Sequence, residues 1–443
     1  MSSASAAVPR APRTFASVLA SAAFGKATLS IFDQGLVSGT SFVTSVLLGR
    51  LCSPEDLGTY ALALSIVMVV RGIQGELVNT PYTIYCHRRS GVGRAAYTGS
   101  ALVHHLLLSA VGVGALLGLA AVLSSGVGPA SLAPVAWVLA GAVPLLMLRE
   151  YLRQLSLAHL RLGAVIAVDA AVAALQLGGL LLLARLGALG VGAAYAVMAL
   201  ACAAACLGWF LLAKQPIRVV PGQVAADWRH NWAFSRWTLA SFLIASTTPY
   251  LMPWVVAVSH GAEATGVLAA CQTLVNLAGT YVTGVSNFLT PRAASAYARG
   301  GLGELRRVLW GTAALYGVSL GLFCVAAALG GDLPAVLVYG GRYTGVGPIL
   351  TVLSLATLVN SMGITAGNGL WALERPRANF AADVCSMVAT VGGSLALVPP
   401  LGALGAALAV LAGVCAGTAV RCVTLARLVA ELGRDSAAEG GPA

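Results

Sequence analysis

Seven stretches of this chain contain no Asp, Glu, Lys or Arg: 95–148, 186–213, 237–262, 264–291, 308–331, 343–373 and 384–420. Each is longer than the roughly 20 residues a helix needs to cross a bilayer. Charged side chains are costly in hydrocarbon, so they collect in loops or are kept where they are used. Only 9% of the residues are charged, against about 25% in soluble domains, and the mean hydropathy is +0.86. The chain therefore reads as a single all-α polytopic membrane domain. Its basic balance, +11, is spread over many short loops rather than gathered into a patch, which argues against a nucleic-acid partner.

With Gly, Pro and charges as breaks, the apolar runs give twelve spans, near 28–50, 57–81, 97–123, 131–155, 162–184, 187–212, 235–259, 264–289, 307–329, 345–371, 378–398 and 402–426. The tail and alternate loops hold 21 of the 26 Lys and Arg. The opposite loops hold Arg50, Arg185 and Arg342, and Arg71 and Arg149 fall inside spans. This positive-inside bias predicts a multi-pass protein with both termini in the cytoplasm. Residues 1–27 read as a cytoplasmic tail, 28–212 as one six-helix bundle, 213–234 as a cytoplasmic linker, 235–428 as a second bundle and 429–443 as a second tail.

The two bundles repeat each other. At an offset near 214, Asp169 matches Asp383, Arg161 matches Arg375 and Gly178-Gly179 matches Gly392-Gly393. The stretch starting at Gly58 resembles the one starting at Gly266. Six spans per repeat is an even number, so the halves share one orientation and relate by an axis along the membrane normal. Transporters built this way carry the substrate between the halves and rock one against the other.

The segment 32–82, with Asp33-Gln34, Ser38-Gly39, Phe42, Arg50, Ser53-Pro54-Glu55 and Gly58-Thr59-Tyr60, resembles the polysaccharide-exporter and O-antigen flippase branch of the multidrug/oligosaccharidyl-lipid/polysaccharide exporter superfamily. Residues 149–169 and 337–350 extend the likeness. The resemblance implies two six-helix bundles around a central polar cavity, in a bacterial inner membrane. It also implies export of a lipid-linked oligosaccharide, a polyprenyl-diphosphate sugar, in polysaccharide biosynthesis such as that of lipopolysaccharide O-antigen. Other polysaccharide-assembly membrane proteins become partners on this reading. Relatives in the superfamily export drugs, so a cation-coupled multidrug exporter is the alternative. A membrane-bound polymerase or ligase fits poorly, since the loops on the less basic side are short.

A diphosphate at membrane depth is best met by Arg, whose planar fork pairs with phosphate oxygens. Arg71, Arg149 and Arg153 are the anion-binding candidates, with Arg149 and Arg153 four apart on one helix face. The competing reading pairs Arg149 with Glu150 or Asp169 and leaves Arg153 as a loop-flanking charge. Asn276 and Asn360 are candidates to line a sugar path. Asp33, Glu76 and Glu150 are candidates to bind a coupling H⁺ or Na⁺, Asp33 also having a buried-pair reading with an Arg. Asp169 and Asp383, at equivalent repeat positions, point to a structural role. Pro249 and Pro253 in span seven form either a hinge or a static kink. The chain carries no Walker A motif, no nucleophile triad and no Cys/His metal pattern. It therefore reads as a non-enzyme with neither cofactor nor metal.

Overall fold

A computed structural model describes residues 14–212 and 216–438, and all regular structure among them is helical. The long helices are α1 (Thr14–Leu51), α2 (Pro54–Gln74), α4 (Gly91–Ser124), α5 (Leu132–Ala158), α6 (Leu162–Arg185), α7 (Val191–Leu212), α8 (Pro221–Gly330), α10 (Gly347–Ala372) and α11 (Pro376–Ala438). Two short ones, α3 (Thr80–Tyr85) and α9 (Leu333–Tyr339), lie between them. Among the described residues, eight helical runs are long and apolar enough to cross a membrane. Two of these are interrupted. The 110-residue α8 leaves helical geometry at Gly261 (φ 81°) and Gly301 (φ 62°), and α11 does so at Gly402 (φ 56°). Positive φ is cheap only for glycine, so these residues turn the chain where the sequence predicts the loops after spans seven, eight and eleven. We refer to the resulting segments as α8a (221–260), α8b (262–300), α8c (302–330), α11a (376–401) and α11b (403–438).

Several helices run beyond the expected spans. Helix α1 begins at Thr14, inside the expected tail, while residues 1–13 lie outside the described residues. The expected linker is helical from Pro221, with Lys214 outside the described residues. The expected C-terminal tail is helical to Ala438. Hydropathy marks the bilayer, whereas a helix ends only where its backbone groups find other partners. The start of α2 shows such a signal. Ser53 accepts from the Asp56 N–H at 3.0 Å, Asp56 accepts from the Ser53 N–H at 3.0 Å, and Pro54 sits at the first turn. After Gln74 the helix widens into a π turn (Gly75–Asn79) and continues into α3, past the expected end of span two.

Helices α1, α2 and α4–α7 form one half, and the segments of α8 pack with α10 and α11 in the other. The main core joins residues 48–209 to residues 252–275, 335–353 and 398–407 of the second half. Further along the same helices, Leu289, Leu305 and Leu373 form one separate cluster, and Val282, Tyr316 and Leu320 another. The halves thus share one core at the end bearing the α1–α2 turn, and toward the other end α8a also meets the first half, Arg89 donating to Asp227 at 2.7 Å. At the fused end Arg342 donates to the Cys52 carbonyl at 2.5 Å. Here Gly58 and Gly266 let α2 and α8b touch backbone to backbone. A Cβ on Gly58 would strike the Ala262 carbonyl oxygen, and one on Gly266 would strike that of Pro54. One offset of 208 residues relates Gly58 to Gly266 and Pro54 to Ala262, so the contact is reciprocal, as a parallel repeat requires.

At the same end, Asp332 staples the turn before α10. Its two oxygens accept from the N–H groups of Gly345 (2.6 Å) and Gly347 (2.7 Å), which hold its carboxyl below the usual range. Because folding lowers this pKa, the stabilisation is present above the unfolded value of about 3.9 and is lost as pH falls through the folded value. Hydrogen-exchange protection of the Gly345 and Gly347 amides should therefore fall with acidification. Asp332→Ala should remove it at neutral pH, and protection unchanged in that variant would refute the staple.

Candidate functional site

The strongest electrostatic feature is a buried cluster in the first half. Helix α5 carries Arg149, Glu150 and Arg153. Asp169 comes from α6, Asp33 from α1, and Arg71 from the last turn of α2, just before the π turn. Arg71 donates to Glu150 at 2.5 Å, and Arg149 donates to Asp169. Arg153 bridges two acids, donating to Asp33 at 2.6 Å and Asp169 at 2.8 Å. Both Arg149 and Arg153 also lie 3.8 Å from Glu150. Three cations face three carboxylates, so the cluster is neutral as a unit.

Asp33 therefore occupies the buried-pair alternative, and Arg149 pairs with Asp169. Arg153 is a member of the cluster rather than a loop-flanking charge. The side chains differ in exposure: Asp169 is 0% exposed, Arg149 11%, Arg153 16% and Arg71 28%. Asp33 Oδ1 and Arg149 Nε are buried without a hydrogen-bond partner among the described residues.

Glu76 lies in the π turn, half-buried, with no ion pair among the described residues and on no cavity wall described below. Asp383 is held by Arg421 of α11b and is half-exposed. The repeat thus keeps the acid at Asp169 and Asp383 but changes its partner, from span four to span twelve.

A cavity of about 580 Å³ lies between the halves. Asn276 and Asn360 both line it, together with Tyr60, Gln272, Thr273 and Asp383. A second space of about 420 Å³ is lined by Arg71, Glu150, Gln154 and Tyr250. Met68 and Tyr250 line both spaces, which makes them neighbours. Arg71 also borders a smaller pocket beside Arg149 and Asp169. It is the one member of the charged cluster that lines two of these spaces.

No described protein family matches the sequence, and no curated protein does. Solved structures do match. One is an inward-facing conformation of a multidrug resistance MATE family transporter of the MOP superfamily (TM-score 0.76, 13% identity, 91% of this chain and 96% of that one). Another is the lipid II flippase MurJ in an inward closed conformation (TM-score 0.73, 12% identity, 91% and 87%). An outward-facing conformation of a multidrug resistance MATE family transporter of the same superfamily scores 0.57 (13% identity, 92% and 97%). The chain shares the fold of these solved structures.

Pro249 and Pro253 both line the central cavity, but the helix keeps helical geometry through them and departs from it at Gly261 and Gly301. A helical proline leaves the carbonyl four residues earlier without its usual partner. Ala245 and Pro249, which own those carbonyls, are themselves on the cavity wall. The prolines thus leave acceptors beside the cavity. The adjacent histidines diverge, as neighbours on a helix must. His105 lies 3.2 Å from Gln74 Nε2 and stacks on Tyr151, while His104 contacts the Val224 carbonyl.

Sequence reasoning missed Arg421, Gln272 and Tyr250. None of the three carried a signal in the sequence, Arg421 standing just outside the charge-free run 384–420 as a flanking charge.

Proposed function

We propose that this chain moves a lipid-linked oligosaccharide, a polyprenyl-diphosphate sugar, across the bacterial inner membrane by alternating access. The observation that carries this reading is the lining of the central cavity. Its polar groups are hydroxyls and amides (Ser45, Ser65, Thr248, Gln272, Asn276, Asn360), and its one carboxylate, Asp383, is already held by Arg421. Such a surface suits a polyhydroxylated cargo, because hydroxyls and amides both donate and accept.

On this reading the chain has twelve spans in two six-helix bundles, 28–212 and 235–428, with both termini cytoplasmic. Arg71 is the residue that receives the diphosphate. It is the most exposed cation of the cluster, and Glu150 keeps Arg149 and Arg153 within 3.8 Å when Arg71 leaves. The diphosphate can therefore exchange for Glu150 without stranding a buried charge. Arg149 and Arg153 hold the cluster together, and Asp33 and Glu150 are the acids whose protonation or Na⁺ binding would loosen it.

One observation favours the multidrug alternative: the Asp383 carboxylate is half-exposed at the central cavity. Mass spectrometry of the lipid-linked saccharide pool in a strain lacking the chain separates the two. Accumulation of one complete polyprenyl-diphosphate oligosaccharide, reversed by complementation, supports the flippase. An unchanged pool with new sensitivity to cationic drugs refutes it. Arg71→Ala should fold and insert yet restore export about 10- to 100-fold less well, the worth of a charge-assisted hydrogen bond. Arg71→Lys should recover only part, having lost the planar fork. Full complementation by Arg71→Ala would remove Arg71 from the substrate path.

A further inference from the structure

Two contacts set the register between α2 of the first half and α8a of the second. The Phe242 ring lies against Gly72, where a Cβ would fall 1.8 Å from it. Trp254 Nε1 donates to Ser65 Oγ at 2.8 Å. Passing along α8a from Phe242 to Trp254 therefore runs back along α2 from Gly72 to Ser65, and the helices are antiparallel. Tyr250, one turn before Trp254, falls opposite Met68, and the two residues line the same two spaces. Arg71 stands three residues beyond Met68 on the same face of α2, with its guanidinium 4.0 Å from Met68 Sδ.

Tyr250 is half-buried. It shares the 420 Å³ space with Arg71, and it also lines the 580 Å³ central cavity, which Arg71 does not reach. Its hydroxyl has no hydrogen-bond partner among the described residues. The hydroxyl is not one of the buried orphan atoms, so it keeps surface on the space it lines. Other polar groups there are less available. Thr83 donates to the Asn79 carbonyl at 3.0 Å, Gln154 donates to Glu150 at 3.3 Å, and Asn79 Oδ1 is sealed from the space. The second half contributes Phe242 and Tyr250 to this wall, so the phenol is its side-chain donor beside Arg71.

We infer that Tyr250 donates its hydroxyl to the diphosphate that Arg71 pairs with, so that one anion is held by both halves at the junction of the two spaces. This rests on the diphosphate reading of Arg71 given above and names its second-half partner. A phenolic O–H can donate, and a charged oxygen makes the stronger acceptor. A diphosphate carries oxygens on two phosphorus atoms, so acceptors remain after the Arg71 fork is filled. The sugar that follows the diphosphate then enters the amide-lined cavity, which begins at the same tyrosine.

The test titrates farnesyl diphosphate and farnesol into the full chain in detergent, with calorimetric detection. Farnesyl diphosphate should bind more tightly than farnesol. Tyr250→Phe should weaken the diphosphate about tenfold, the low end for a hydrogen bond to a charged group, and leave farnesol unchanged. Arg71→Ala should weaken the diphosphate at least as much. The ligand-free unfolding midpoint of Tyr250→Phe should match that of the unaltered chain, because the lost hydroxyl strands no partner. A variant that fails to fold would contradict the free hydroxyl and overturn the inference. Weakening by Arg71→Ala with none by Tyr250→Phe would overturn it too, while leaving the role of Arg71 intact. Equal affinity of the unaltered chain for farnesyl diphosphate and farnesol would remove the diphosphate reading, and this inference with it.

Discussion

Asp169→Asn should destabilise the folded chain by about 3–5 kcal/mol, the usual cost of removing one partner from a buried ion pair. Asp383→Asn should cost no more than about 1 kcal/mol. The two acids occupy equivalent places in the repeat, and the substitution is the same size at both. What differs is the surroundings. The Asp169 side chain is 0% exposed and accepts from both Arg149 and Arg153. Asparagine would keep an acceptor there but leave three guanidinium groups facing two carboxylates, deep in the first half. Asp383 is 50% exposed and has one partner, Arg421, so water can replace what the substitution removes. Unfolding titrations in mixed micelles measure both variants. Equal losses would mean that the neutral cluster is not what stabilises the first half. The comparison is also informative about coupling, because protonation of Asp33, Glu150 or Asp169 is a reversible version of the same insult.

The charge-free runs made the helices legible, because a bilayer tolerates few charges and leaves a long, one-dimensional trace. The ends were less legible. Thr14, Pro221 and Ala438 extend helices into segments polar enough to look like tails or linkers, and nothing in hydropathy records that continuation. The breaks inside α8 and α11 fell where glycines sit near expected loops, since Gly261, Gly301 and Gly402 alone can take positive φ there at low cost.

In the charged cluster, the shared face of Arg149 and Arg153 followed from a spacing of four. Their partners did not. Asp33 is 120 residues from Arg153 and Glu150 is 79 from Arg71, and only packing of α1, α2, α5 and α6 brings them together. Counting Lys and Arg by loop also placed Arg421 as a flanking charge, although it reaches back to an acid on the cavity wall. A positive residue at a helix end can count as a flanking charge and also pair with an acid, and composition cannot separate the two.

Gly58→Ala should shift the chain away from the arrangement closed at the end that the charge bias assigns to the outside. The added Cβ would meet the Ala262 carbonyl oxygen and would lie 2.7 Å from the Ala262 carbonyl carbon and 2.8 Å from the Gly266 nitrogen. These are backbone atoms, so no side chain can turn aside and the two helices must move apart. Gly266→Ala should act alike, because its Cβ would strike the Pro54 carbonyl in the reciprocal contact. Besides the shared core, this end carries polar ties from Arg342 to the Cys52 carbonyl and from Arg50 toward the carbonyls of Leu337 and Val338, at 3.4 and 3.5 Å. Those flexible side chains can follow a small opening but cannot hold backbones together against a steric clash. The readout is a cysteine at Thr273 on the cavity wall, with the exposed Cys415 and Cys422 replaced by serine. An impermeant maleimide added outside should label it about tenfold faster in Gly58→Ala, the change expected for a shift of 1.4 kcal/mol between closed and open states. Gly39→Ala is the matched control, since its Cβ would meet nothing within 4 Å. Equal labelling of the two variants, with both folded, would mean that the glycine contact is not the seal between the halves.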